Sequence, residues 1–242
     1  MIMPDAASDD ALHRLAKGAR HFISVIVTWI AVLLRPARGR LPALAFIKER
    51  QHLRVGTVAA VIVVPLLMRW ADEPLIQIAE RLPSSMQETF NAITDFGRSG
   101  WVLWPSGILI LITAAAATRA ATRMARLVLA TVAVRFGYVF LAVGIPGLFV
   151  TIVKRWIGRV RPSQAGPFAY HPFSWDPAYA SLPSGHAAAA FSALIAIGAI
   201  FPRARPVLWV YAITIAVSRV IISAHYPSDV VAGAAVGAIG AI

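Results

Sequence analysis

Three separated segments of this chain carry side chains that suit one phosphate group. The first runs from Lys154 to Arg161-Pro162, the second is Pro183-Ser184-Gly185-His186, and the third runs from Ser218-Arg219 through His225 to Asp229. Transfer of a phosphate monoester spreads negative charge over its equatorial oxygens, so the chemistry needs cations and hydrogen-bond donors held in place. Arg161 and Arg219 offer planar forks that match phosphate oxygens, and Lys154 adds a point charge. Pro162 is expected to stop a helix just after Arg161. Ser184 stands before an apolar run as a helix N-cap, where unpaired backbone N–H groups face an anion. Gly185 leaves room for close approach. His186 has the chemistry of a general acid toward a leaving oxygen. If the first turn at His225 is helical, His225 and Asp229 project to one side. A carboxylate beside an imidazole fixes its tautomer and leaves the other nitrogen free to attack phosphorus.

Each feature has a plainer reading when taken alone. Lys154 and Arg161 also suit snorkelling residues at a membrane interface. Pro-Ser-Gly-His also suits a simple cap, and His225 a satisfied interface histidine. His186, His225 and Asp229 are the ligand types of a metal site, although the neighbouring Arg and Lys side chains would repel a divalent ion and suit an anion.

Taken together and in this order, K-x6-RP, PSGH and SR-x5-H-x3-D resemble the type 2 phosphatidic acid phosphatase (PAP2) family, which is related to vanadium haloperoxidases. The resemblance covers about residues 150–230. It implies a six-transmembrane-helix bundle and a metal-independent lipid phosphatase with no cofactor. It implies catalytic roles for His225, His186 and Asp229, with a phosphohistidine at His225 resolved by water. It implies phosphate binding by Lys154, Arg161, Ser184, Gly185 and Arg219. A lipid phosphotransferase using the same intermediate, or a non-catalytic lipid-phosphate transporter or scaffold, are the alternatives.

The elements that must position these residues are apolar. The chain has 242 residues, 58% hydrophobic and 14% charged, with a mean hydropathy of +0.70. That profile excludes an ordinary soluble domain and predicts an all-α polytopic membrane protein. The net charge of +12 then reads as positive-inside bias, not as nucleic-acid binding. There are no cysteines, so no disulfide or thiolate chemistry enters. Residues 1–54 read as a basic N-terminal region with an interfacial or re-entrant helix at 22–34, and 55–242 as the transmembrane domain. Spans are expected at about 55–70, 101–118, 127–153, 184–201, 206–223 and from Pro227 onward, with short surface pieces between 71 and 100.

The charge pattern assigns sides. The basic stretch 35–54, the link with Arg119, Arg123 and Arg126, and the link with Arg203 and Arg205 belong on the cytoplasmic face. All three motifs then fall on the opposite face, which suggests a bacterial inner-membrane protein with an outward-facing site and a lipid phosphate as its partner. Lys154, Arg155, Arg159 and Arg161 break the charge rule there, as a need for cations would explain. Arg135, inside the third span, is an intramembrane charge that no motif claims. His171 and Asp176 lie in an aromatic-rich loop at 163–182 that reads as amphipathic.

Overall fold

The computed structural model describes residues 16–20, 23, 24, 27, 43–164 and 166–242. The helix expected at 22–34 and the basic residues Arg35, Arg38 and Arg40 lie outside the described residues, apart from Ile23, Ser24 and Val27.

Among the described residues the regular elements are helices: α1 Ala43–Trp70, α2 Asp72–Glu80, α3 Ser84–Thr94, α4 Gly100–Arg119, α5 Arg123–Ile157, α6 Gly185–Ile200, α7 Arg205–Ile221 and α8 Pro227–Gly240. Prolines stand in the first turns of α7 and α8, where a missing N–H breaks no helical bond. The spans expected from hydropathy fall on α1, α4, α5, α6, α7 and α8. The expected short pieces are α2, α3 and a 3-10 turn at Asp95–Gly97.

Length separates these helices into two groups. Leu53–Trp70, Ser84–Arg119, Arg123–Ile157 and Pro202–Ile221 are long and apolar enough to cross a membrane. α6 and α8 have 16 and 14 residues, which at the α-helical rise extend about 24 and 21 Å. The expected six spans are thus four of full length and two shorter apolar helices. None of the Leu53–Trp70 window is buried, and Val58, Val61 and Ile62 are exposed along it. Such a face suits hydrocarbon, in which a helix satisfies its own backbone.

The chain forms two compact units, residues 1–40 with 105–137 and residues 41–104 with 138–242. In the first, α4 and α5 are joined by a short link in which Thr122 Oγ1 accepts a hydrogen bond from the Ala125 N–H. The second holds every motif residue. Its centre is the pairing of α6 with α8. Ala187, Ala188, Ala190 and Ala196 of α6 are fully buried. A Cβ on Gly233 would stand 2.3 Å from the Ser184 carbonyl oxygen, and one on Gly237 would stand 2.2 Å from that of Ala188. Small residues therefore let the two backbones touch, the packing that apolar surroundings favour. Ser192 Oγ donates to the Gly237 carbonyl at 3.0 Å, and Ala212 and Ile215 of α7 close over Ala190 and Leu194 of α6.

Gly237→Ala should force α6 and α8 apart and lower stability by about 1–3 kcal/mol, the usual result of overpacking. Gly56→Ala, whose Cβ meets nothing within 4 Å, should be neutral or slightly stabilising. Thermal unfolding of the detergent-solubilised variants checks both.

Candidate active site

The first motif is split between a helix and a loop. Lys154 lies in the last turn of α5, which ends at Ile157. Gly158 turns the chain with φ +63°, and a Cβ there would stand 1.9 Å from the His171 carbonyl oxygen, so a glycine is required. The helix thus stops at Ile157, four residues before the expected end at Arg161, and Arg161 stands off it. Beyond Gly158 the backbone pairs with the aromatic-rich loop through Val160 N–H to Ala169 O and Arg161 N–H to Ala178 O, at 3.0 and 2.9 Å. Only an isolated bridge, Arg159 with Tyr170, forms here, so the two arginines do not keep the shared face that a regular strand would give residues two apart. Arg159 is fully buried, whereas Arg161 lines a cavity, with its Nε donating to the Pro177 carbonyl at 2.9 Å.

The second motif opens α6. Ser184 occupies the N-cap position, but its side chain makes no capping bond, contrary to the expected role. Its Oγ is buried without a partner, while its N–H donates to the Asp229 carbonyl at 2.9 Å. A Cβ on Gly185 would meet Lys154 Nζ at 3.7 Å, which is ordinary contact. The room left at Gly185 therefore lies beside the ammonium. His186 faces the same cavity as Arg161.

The third motif joins α7 to α8. Arg219, in the last turn of α7, is 7% exposed and donates from Nη1 to Thr94 Oγ1 at 2.7 Å. The N–H groups of Ala224 and His225 fold back onto the Arg219 carbonyl at 3.1 and 3.2 Å. His225 therefore precedes α8 and sits in this turn, not in the helical first turn expected. Asp229 is the third residue of α8. The His225 Nδ1 still lies 3.8 Å from Asp229 Oδ2, longer than a hydrogen bond. Burial pushes the His225 imidazole down to about 4, Asp229 opposing this and Arg219 and Arg161 reinforcing it. At neutral pH it is uncharged, the form a nucleophile needs.

One residue of each motif, Arg161, His186 and Arg219, lines a cavity of about 580 Å³ together with Arg98 and Thr94 among others. Among the described residues, three buried side-chain atoms lack a hydrogen-bond partner: Ser184 Oγ, Arg219 Nε and His225 Nδ1. All three belong to predicted site residues. His225 Nδ1 faces Asp229 Oδ2. Buried polar groups are ordinarily satisfied, so Ser184 Oγ and Arg219 Nε fit an anion with acceptor oxygens. Among the described residues no three His, Asp or Glu side chains converge as metal ligands, and Asp229 is already engaged by Arg159, Ser181 and the Tyr226 N–H.

Other residues resolve differently. Asp176 caps the turn at Pro177–Tyr179 by accepting from the Ala178 N–H, and His171 packs its ring at 5.0 Å from that of Tyr179. Neither lines the cavity. Arg135 is exposed on the surface of α5. The loop Phe168, Phe173 and Trp175 side chains are exposed, and Arg155 holds the loop by donating to the Trp175 carbonyl at 2.5 Å. Sequence reasoning missed Asp72, Ser181 and the role of Arg159. Asp72 fell within the short surface pieces expected between 71 and 100, with nothing in its spacing to set it apart. The only signal for Arg159 was a cation on the face where cations are unexpected.

Comparison with known proteins agrees with this geometry. The family model of the PAP2 superfamily matches residues 135–242. A lipid A 1-phosphatase of Rhizobium johnstonii is 35% identical over 185 residues, which is 75% of this chain and 74% of that protein. One of Rhizobium etli is 35% identical over 177 residues, 72% of this chain and 75% of that protein. The fold resembles the crystal structure of Aquifex aeolicus LpxE, with a TM-score of 0.51, 21% identity and coverage of 70% of this chain and 92% of that one. It also resembles the transmembrane PAP2-type phosphatidylglycerolphosphate phosphatase of Bacillus subtilis, with a TM-score of 0.52, 22% identity and coverage of 78% and 91%. With its three motifs converging on one basic cavity at the ends of apolar helices, the chain is an integral membrane protein that belongs to the PAP2 superfamily of phosphatases.

Proposed function

We propose that this protein hydrolyses a phosphate ester of a membrane lipid, with the 1-phosphate of lipid A as the favoured substrate. The observation that carries the reading is a basic cavity onto which one residue of each motif opens, Arg161, His186 and Arg219, with the buried Ser184 Oγ and Arg219 Nε lacking partners. Lys154, Arg161, Arg219 and the backbone at Ser184 and Gly185 hold the phosphoryl oxygens. The other imidazole nitrogen of His225 attacks phosphorus as the bond to the lipid oxygen breaks, and His186 gives that oxygen a proton. Asp229 stabilises the positive charge that His225 then bears. Water attacks the phosphohistidine, passing a proton to His186, and inorganic phosphate leaves. The cations do the work a metal would do elsewhere, so EDTA leaves activity intact.

The lipid class has its own support. A second cavity of about 390 Å³, bordered by Leu103, Val143, Gly144, Gly147 and Leu148, shares His186 and Arg98 with the first. A leaving oxygen at His186 directs the rest of the substrate into this apolar side. The lipid A reading draws on the relatives named above. The site faces the non-cytoplasmic side of a bacterial inner membrane, because the Arg119–Arg126 and Arg203–Arg205 links lie at the opposite helix ends and follow the positive-inside bias.

Purified protein in EDTA should release inorganic phosphate from lipid A, and His225→Ala should lower the rate by about 10⁴-fold or more while remaining folded. Near-normal turnover by His225→Ala, or transfer of phosphate to an acceptor lipid in place of its release, would contradict the mechanism. Gly147→Trp places a large ring where a Cβ meets nothing within 4 Å. It should lower kcat/KM for lipid A about tenfold or more and leave a small soluble phosphate ester nearly unaffected. In a chain without cysteine, Gln164→Cys should react with an impermeant thiol reagent on intact spheroplasts. Ala121→Cys and Ala204→Cys should react only after permeabilisation, and the reverse pattern would move the site to the cytoplasm.

A further inference from the structure

Behind His225 and Asp229 the charges continue to Arg159 and Asp72, which the proposed phosphate chemistry does not use. Arg159, Asp72 and Asp229 are all fully buried. Arg159 donates from Nη2 to Asp72 Oδ2 at 2.7 Å, from Nη1 to Asp229 Oδ1 at 2.6 Å and Ser228 Oγ at 2.7 Å, and from Nε to the Pro167 carbonyl at 3.1 Å. The Tyr226 ring covers the guanidinium, whose central carbon is 4.3 Å from the ring centroid. Asp72 accepts in addition from the Ser228 N–H at 2.9 Å and from Ser228 Oγ at 2.5 Å. It thereby grips the first turn of α8, on which Asp229 stands. The free side of Asp229 is then fixed: Oδ2 accepts from Ser181 Oγ at 2.5 Å and the Tyr226 N–H at 3.0 Å, and faces His225 Nδ1 at 3.8 Å.

Burying three ionised groups is costly, and apolar packing of the same volume commonly serves a fold as well or better. The arrangement therefore calls for a use of the charge itself. One cation between two carboxylates leaves one net negative charge in a buried site, and Asp229 links it to His225. A histidine that takes a phosphoryl group becomes an imidazolium, which one negative charge balances.

We propose that Asp72 and Arg159 are positioning residues that set the charge behind the nucleophile. Arg159 holds Asp229 ionised and aimed at His225, and Asp72 offsets the arginine so that Asp229 keeps its full negative charge for the imidazolium. The groups facing His225 are Asp229, Arg219 and Arg161, with His186 across the cavity. Since the other charged groups facing His225 are cations, removal of the Asp72 charge has no local substitute. This inference rests on the phosphatase reading above.

The test compares charge with bonding. Asp72→Asn takes the chain from one net negative charge to none, and kcat should fall about tenfold or more with KM within about twofold, because the loss appears only as charge develops. Asp72→Asn/Arg159→Gln restores one net negative charge, and kcat should rise above that of Asp72→Asn alone. Ser228→Ala removes the bridging hydroxyl but no charge, and kcat should stay within about threefold of the parent. Thermal unfolding and vanadate binding by each variant report the fold and the phosphate pocket separately. Should Asp72→Asn not fold, the double variant is read against the parent: with one net negative charge kept, its kcat should stay within about tenfold, and a folded double variant without turnover would overturn the proposal. Folded Asp72→Asn with parental kcat, a double variant no better than its worse single parent, or Ser228→Ala as damaging as Asp72→Asn would overturn the proposal. Absence of phosphate release by the parent protein would instead count against the phosphatase reading.

Discussion

The approach of α6 to α8 is the constraint on which the candidate site depends. Two glycines, Gly233 and Gly237, bring the α8 backbone against the Ser184 and Ala188 carbonyls. That contact sets the Ser184 N–H on the Asp229 carbonyl and so couples the start of one helix to the first turn of the other. The phosphate-binding end of α6 and the carboxylate behind His225 are thereby held by backbone, the least adjustable part of the chain. Arg219 arrives on α7, which packs against the other side of α6, and its carbonyl gathers the turn that presents His225. A displacement of α8 by the width of one methyl group would move Ser184, Asp229 and His225 together.

Around that contact the cations of the first and third motifs sort into separate tasks. Arg155 ties the aromatic loop down at the Trp175 carbonyl. Arg159 is sealed between Asp72 and Asp229. Lys154, Arg161 and Arg219 are the cations that the proposed function assigns to phosphate: Arg161 and Arg219 line the cavity, and Lys154 stands near enough to feel both. Like charges held this close repel one another, which favours an anion among them. The neighbouring apolar cavity, lined by Val143 and Leu148, gives the body of a lipid somewhere to lie beside the same His186.

The charge rule for membrane proteins was a useful guide because it was broken in one place. Four basic residues between 154 and 161 on the side where cations are unexpected marked the site. They also marked more than the site, since two of the four serve the loop and the buried ion chain. Sequence spacing alone does not separate these tasks. Arg159 and Arg161 stand two residues apart, where regular extended backbone would put them on one side; it is their distant partners, Asp72 and Asp229 for Arg159 and the Pro177 carbonyl for Arg161, that separate them.

From the chain alone came the helical class, the apolar segments within a few residues of α4 to α8 and of the apolar Leu53–Trp70 part of α1, which itself begins twelve residues before the expected span, and the three groups of residues that each reach one cavity. Those follow from local rules: hydropathy fixes where a backbone is covered by its own hydrogen bonds, and motif spacing places polar groups at helix ends. The turn at Gly158, the absence of a capping bond from Ser184 and the position of His225 outside α8 were decided by contacts distant in sequence, such as Gly158 against His171 and the 224–225 turn against Arg219. The chain of Asp72, Arg159 and Asp229 was invisible for the same reason. Its hydrogen bonds join residues 87 and 70 positions apart, and only the folded packing of α2, the loop after α5 and the start of α8 brings those charges out of water and together.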